Sequence, residues 1–259
     1  MQDRRRTPVW LWMNRLSLDA PLVAVIWQDF LANCFPSTLR PAGRLMLGLT
    51  VWAIYLADRL LDVQLPPSDV EMMPHQFCRQ HQRLTGVLLA AVLCADFLIG
   101  SFWLRHSVFA NGLVVSAGVI TYFGIFPVRR IAVEWKPIAA AILFTTGVFL
   151  VAWTGTVNPE QTFGWPALAF CLLCLANLVL ISRWEQRMEV VSTGIWMAPL
   201  VVVCAFSAAS SKWYAAVVLS GAGLMALAFL GNNLSRPARR VLADAVLLSP
   251  LLLRWTSIA

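Results

Sequence analysis

A succession of apolar stretches, each long enough to cross a bilayer, runs from residue 20 to residue 254 of this chain. A spanning helix needs about 20 mainly apolar residues, because hydrocarbon offers the backbone no water to bond with. The pattern predicts nine helices, at about 20–36, 42–63, 85–104, 108–126, 137–153, 165–183, 191–210, 214–231 and 239–254. Prolines punctuate the joints: Pro36, Pro41, Pro66, Pro67, Pro127, Pro159 and Pro237. No strand-like alternation competes with this reading. Only 13% of residues are charged and 59% are hydrophobic, whereas a soluble domain carries about 25% charge. The fold class is therefore all-α, a polytopic membrane bundle. No Gly-, Ser- or Pro-rich linker divides it, so residues 20–259 are read as one membrane domain and residues 1–19 as a basic cytoplasmic tail.

The basic residues set the orientation. Net charge is +7, but these residues lie in the joints between apolar runs, which excludes the clustered basic face of a nucleic-acid binder. With the N-terminus inside, the cytoplasmic segments hold Arg4, Arg5, Arg6, Arg15, Arg79, Arg83, Arg129, Arg130, Lys136, Arg183, Arg187, Arg236, Arg239 and Arg240. The opposite side holds Arg40, Arg44, Arg105, Lys212 and Arg254. This bias satisfies the positive-inside rule and puts the C-terminus outside. The first nineteen residues lack the apolar core of a signal peptide, so the cytoplasmic (inner) membrane is expected. The six cysteines fall mostly in apolar runs and behave as small hydrophobes. The tryptophans read mostly as interfacial anchors; Trp27, mid-helix, is a candidate for a pocket wall or for packing.

Acids inside apolar runs are costly and mark functional candidates. Asp58 and Asp62 in IYLADRLLDV end the second helix, on one face. Glu185 and Glu189 in SRWEQRMEV repeat the spacing at the end of the sixth. Neighbouring arginines could neutralise either pair alone, as on a solvated helix end. Two pairs with equal spacing on the same side favour a metal. Four converging carboxylates suit Mg²⁺, a hard cation that also takes phosphate oxygens. His75, Arg79, His81, Arg83, Arg129, Arg130 and Lys136 lie in the same cytoplasmic loops, and the set describes a diphosphate clamp above an apolar bundle. Asp29 and Asp96 are single mid-helix acids, read equally as structural or pocket residues. Asp244, four residues after Arg240, suggests an ion pair within its helix.

These residues resemble the UbiA-type superfamily of intramembrane prenyltransferases, nine-helix proteins whose two acidic motifs hold Mg²⁺ and an isoprenyl diphosphate. Asp58 and Asp62 match the last two acids of the first motif, Asn-x-x-x-Asp-x-x-x-Asp. Glu185 and Glu189 match the second, with Glu for Asp. FPVRRIAVEWKPIAAAILFTTG (126–147) is similar to the family's Tyr-Pro-x-x-Lys-Arg segment and the small-residue helix after it. Ile54 stands where the family has Asn, and the family's second-motif Tyr and Lys have no counterpart; Asn177 can serve on that face instead. His75 or Arg79 can replace the family's Arg-Thr.

The resemblance implies Mg²⁺ on Asp58, Asp62, Glu185 and Glu189, with Asn177 as a further catalytic candidate and the diphosphate met by His75, Arg79, Arg129, Arg130 and Lys136. The expected activity is prenyl transfer from an isoprenyl diphosphate to a lipophilic acceptor. A terpene cyclase working on the same diphosphate without an acceptor is an alternative, and a catalytically silent lipid-binding protein a second. Acids gathered at one membrane face argue against transport, which uses a path through the midplane. Membrane lipid is the surrounding partner, and no feature of the sequence specifies an oligomeric state.

Overall fold

In the computed structural model, residues 16–35, 37–64, 78–125, 135–184, 212–230 and 234–255 are described, with backbone alone for Asp62, Gln64, Arg236, Arg254 and Trp255. They form α1 (Asp19–Cys34), α2 (Pro41–Gln64), α3 (Gln82–Trp103), α4 (His106–Ile125), α5 (Lys136–Thr154), α6 (Pro159–Trp184), α7 (Lys212–Leu230), α8 (Arg236–Val246) and α9 (Pro250–Trp255). No strand occurs among the described residues. Among the described residues, the five helices α3 to α7 are long and apolar enough to cross a membrane, so this is a helical membrane protein. The expected 191–210 helix lies outside the described residues, as do residues 1–15 of the tail.

Proline sets many of the starts. It opens α2, α6 and α9 and occupies the first turn of α5 and α8, where its missing N–H would have no intrahelical partner anyway. Hydroxyls on apolar faces bond back to their own helix: Ser101 to the Phe97 carbonyl, Ser116 to Gly112, Thr121 to Ala117 and Thr146 to Ile142, each at 2.8–2.9 Å. Polar side chains can thus face lipid without an unmet donor.

Helix α1 is the hub, touching α2, α5, α7, α8 and α9, while α2 to α8 pack each against the next in chain order. Its Trp27 lies fully buried in an aromatic cluster, with ring centroids 4.7 Å from Phe170 and 5.1 Å from Trp213. Trp27 is a packing residue. At the periphery, α3 and α4 turn large apolar side chains outward: Phe102 is 74% and Ile120 72% exposed. Such faces suit lipid, not water.

The expected single helix over 239–254 is instead two, broken at residues 247–249. Pro250 has no N–H to continue the ladder and its ring disfavours helix before it. The carbonyls freed by the break are met from other helices. Trp27 Nε1 donates to the Leu247 carbonyl at 2.7 Å, and Ser220 Oγ to that of Val246 at 3.1 Å. Ser249 Oγ lies 2.7 Å from Ser220 Oγ and donates to the Ala216 carbonyl at 3.0 Å.

Helices α2 and α5 run antiparallel. Lys136 meets Asp58 at one end, and a Cβ on Gly43 would lie 3.5 Å from Val151 at the other. Between them a Cβ on Gly147 would come within 3.3 Å of Leu47. Helix α4 closes a third side, Gly112 level with Leu150 and Met46, and Gly118 level with Leu143. These small residues leave room, and the room is a cavity.

Candidate functional site

The cavity has a volume of about 310 Å³ and extends along α2 from Gly43 to Arg59, a rise of about 24 Å. Its size is within the range of small-molecule sites, roughly 300–1,000 Å³. Most of its length is an apolar tunnel walled by Met46, Leu47 and Val51 of α2, Val108, Val115 and Val119 of α4, and Leu143, Phe144 and Leu150 of α5. One end is different. There Tyr55, Asp58 and Arg59 of α2, Lys136 of α5, Asn177 and Ser182 of α6, and Arg240 and Asp244 of α8 converge on the same space.

Lys136 Nζ donates to Asp58 Oδ1 at 3.1 Å, with 35% and 37% of the two side chains exposed. Asp58 is therefore neutralised by a lysine from the facing helix. Arg59, next in sequence, is buried and acts electrostatically with Arg240, Asp19, Tyr55 and Asp58. Asn177 Nδ2 donates to Asp244 Oδ1 at 3.2 Å, while Asn177 Oδ1 is buried without a hydrogen-bond partner. Asp244 interacts with both Arg240 and Asp19, so its surroundings extend beyond the ion pair expected within its own helix. It is a cavity residue that also bridges to α6.

Of the candidate site residues, Asp58, Lys136 and Asn177 line this one cavity. Arg79, in the helical residues 78–80, is not among the lining residues. The Asp62 side chain and His75, Arg129, Arg130, Glu185 and Glu189 lie outside the described residues. Tyr55, Arg59, Arg240 and Gln28, which also line the cavity, were not singled out from the sequence as site residues. The two arginines flank acids at helical spacings and read as neutralisers; nothing in a linear reading showed that both turn to the same space.

The other single acids have found polar partners. Arg44 Nη2 pairs with Asp29 Oδ1 at 2.6 Å, and Thr50, a tunnel residue, donates to Asp96 Oδ2 at 2.7 Å.

The donor set at the charged end bears on a magnesium site. Its described acceptors are all hard oxygens, Asp58, Asp244 and the unmet Asn177 Oδ1, the chemistry Mg²⁺ takes. Among the described residues, however, no three acidic, histidine or cysteine side chains are grouped closely enough to hold a metal. The described part of the site supplies compatible ligands and several cations, and three of the four matched acids lie outside it. Compared with protein-family models, with curated proteins and with solved structures, the chain matches none of them.

Proposed function

We propose that this protein is a Mg²⁺-dependent intramembrane enzyme that ionises an isoprenyl diphosphate and passes the prenyl group to a lipophilic, aromatic acceptor, within a nine-helix domain of UbiA type. The observation that carries this reading is one cavity, about 24 Å long, that joins a charged end to an apolar tunnel. A soluble metabolite has no use for such a tunnel, and a neutral lipid has no use for Asp58, Arg59, Lys136, Arg240 and Asp244 at its mouth. An anionic head on a hydrocarbon chain uses both.

Asp58, Asp62, Glu185 and Glu189 would hold the magnesium, which supplies positive charge against the diphosphate oxygens. Lys136 has three N–H donors and only one is needed for Asp58, so it can also meet a diphosphate oxygen. Arg59 and Arg240 add positive charge where negative charge grows as the allylic C–O bond breaks and its electron pair leaves on the diphosphate. The apolar wall keeps water from the carbocation until the acceptor attacks and releases its proton. Cyclisation on the same chain, with no acceptor, is the close alternative. A non-catalytic binder of anionic lipid is a second reading, favoured by the Asp58–Lys136 ion pair, which balances charge without a metal.

Diphosphate release by the purified protein in nanodiscs, with Mg²⁺ and allylic diphosphates of increasing length, tests the proposal. Release that requires Mg²⁺ and is lost in Asp62→Ala and Glu189→Ala supports an ionising site. Release without acceptor, with cyclic products, selects the cyclase; release only with an aromatic acceptor selects the transferase. Saturable binding without any release leaves the lipid binder.

A further inference from the structure

Gln28 lies in the part of the tunnel farthest from the charged end. Its neighbour Asp29 pairs with Arg44 at 2.6 Å, and a Cβ on Gly48 would come within 3.2 Å of Val25. These contacts put Gln28 level with the first turns of α2, about 20 Å of helix from Asp58. The side chain lines the cavity, is only 2% exposed, and has no hydrogen-bond partner on either Oε1 or Nε2. Buried amides are almost always bonded, and one lacking both partners calls for an explanation.

Two hydroxyls along the tunnel are committed. Thr50 gives its proton to Asp96, and Ser116 gives its own to the Gly112 carbonyl. At the level of these first turns of α2 the lining is apolar, with Met46 and, facing the same point of α4, Leu150. A plain hydrocarbon tip would leave the amide unmet, whereas an oxygen there would receive its N–H.

Resting on the anionic-head reading above, we propose that the ligand bears a hydroxyl or carbonyl oxygen at the end of its chain remote from the head, and that the Gln28 amide binds it. The ligand is thus an amphiphile with oxygen at both ends, and Gln28 selects it over the plain hydrocarbon of equal length.

Calorimetric titration of the full chain in nanodiscs, with empty nanodiscs subtracted, tests this. The probes are straight-chain alkyl phosphates and their ω-hydroxy counterparts in a series of lengths. At the length that reaches Gln28, the ω-hydroxy probe should bind about 5-fold tighter, the worth of one neutral hydrogen bond. That ratio should fall to one or below in Gln28→Met, which keeps the side chain's length and removes its polar atoms. The wild-type dependence of the ratio on length serves as the second readout should the variant fail to fold. Equal binding of both probes at every length would mean that Gln28 holds water, and would overturn the proposal while sparing the anionic-head reading. A preference unchanged in Gln28→Met would overturn it too. Failure of both probes to bind would overturn the anionic-head reading, and this proposal with it.

Discussion

Asp58 and Lys136 are each more than a third exposed, and a pair so open contributes only about 0–1 kcal/mol to stability. Their substitution therefore separates function from folding. Asp58→Asn and Lys136→Met should each lower diphosphate release about 100-fold with little change in thermal unfolding. Since the two act on one head group, the double variant should be hardly worse than either alone. Additive losses in the rate would show that they serve different steps. Asn177 is the opposite case, buried and bonded to Asp244. Asn177→Leu should cost about 1–3 kcal/mol in thermal unfolding, because Asp244 loses its donor. Asp58 was legible in the sequence because a carboxylate in an apolar run is conspicuous. Gln28 was not: a neutral amide barely disturbs hydropathy, and only three-dimensional placement shows both its polar atoms unmet.

Helix positions were legible because apolar length and proline spacing are local properties, and α1 to α7 begin and end within about three residues of the stretches the sequence marks, except that α6 starts six residues early, at Pro159, and carries Pro166 inside it. The break between α8 and α9 was not, because whether Pro250 ends a helix depends on partners for the freed carbonyls. Those partners, Trp27 and Ser220, come from distant helices. The break also brings α8 close to α7. A Cβ on Gly223 would lie 2.5 Å from Val246 Cγ1, a distance real contacts do not adopt. Gly223→Ala should therefore force the helices apart and cost about 1–3 kcal/mol in thermal unfolding, as overpacking does. Val246→Ala in the same chain should recover most of the loss by removing the clashing methyls. A double variant no more stable than Gly223→Ala would place the strain elsewhere.

For the molecule as a whole, the tunnel's direction is the claim with the widest reach, and no local pattern in the sequence carried it. It emerges only when α2, α4 and α5 are side by side, with charge at the Lys136 end and apolar walls beyond. If the head sits at Asp58 and the chain runs toward Gly43, side chains inserted from α4 should act as stops at different depths. Val119 and Gly112 both line the tunnel, and seven residues of helix separate them by about 10 Å. Gly118 is level with Leu143 and Gly112 with Leu150, which puts Val119 nearer the Lys136 end of α5. Val119→Phe should therefore exclude all but short chains, and Gly112→Phe only the longest, when allylic diphosphates of graded length compete for the site. Gly112 tolerates the added Cβ itself, whose nearest neighbours would be 3.7 and 3.8 Å away, so the ring and not the backbone does the blocking. The same cut-off in both variants would mean that the chain does not travel along α4. A reversed order would put the head at the Gly43 end, and the charges at Asp58 and Lys136 would then belong to the tail's exit and not to the reacting centre.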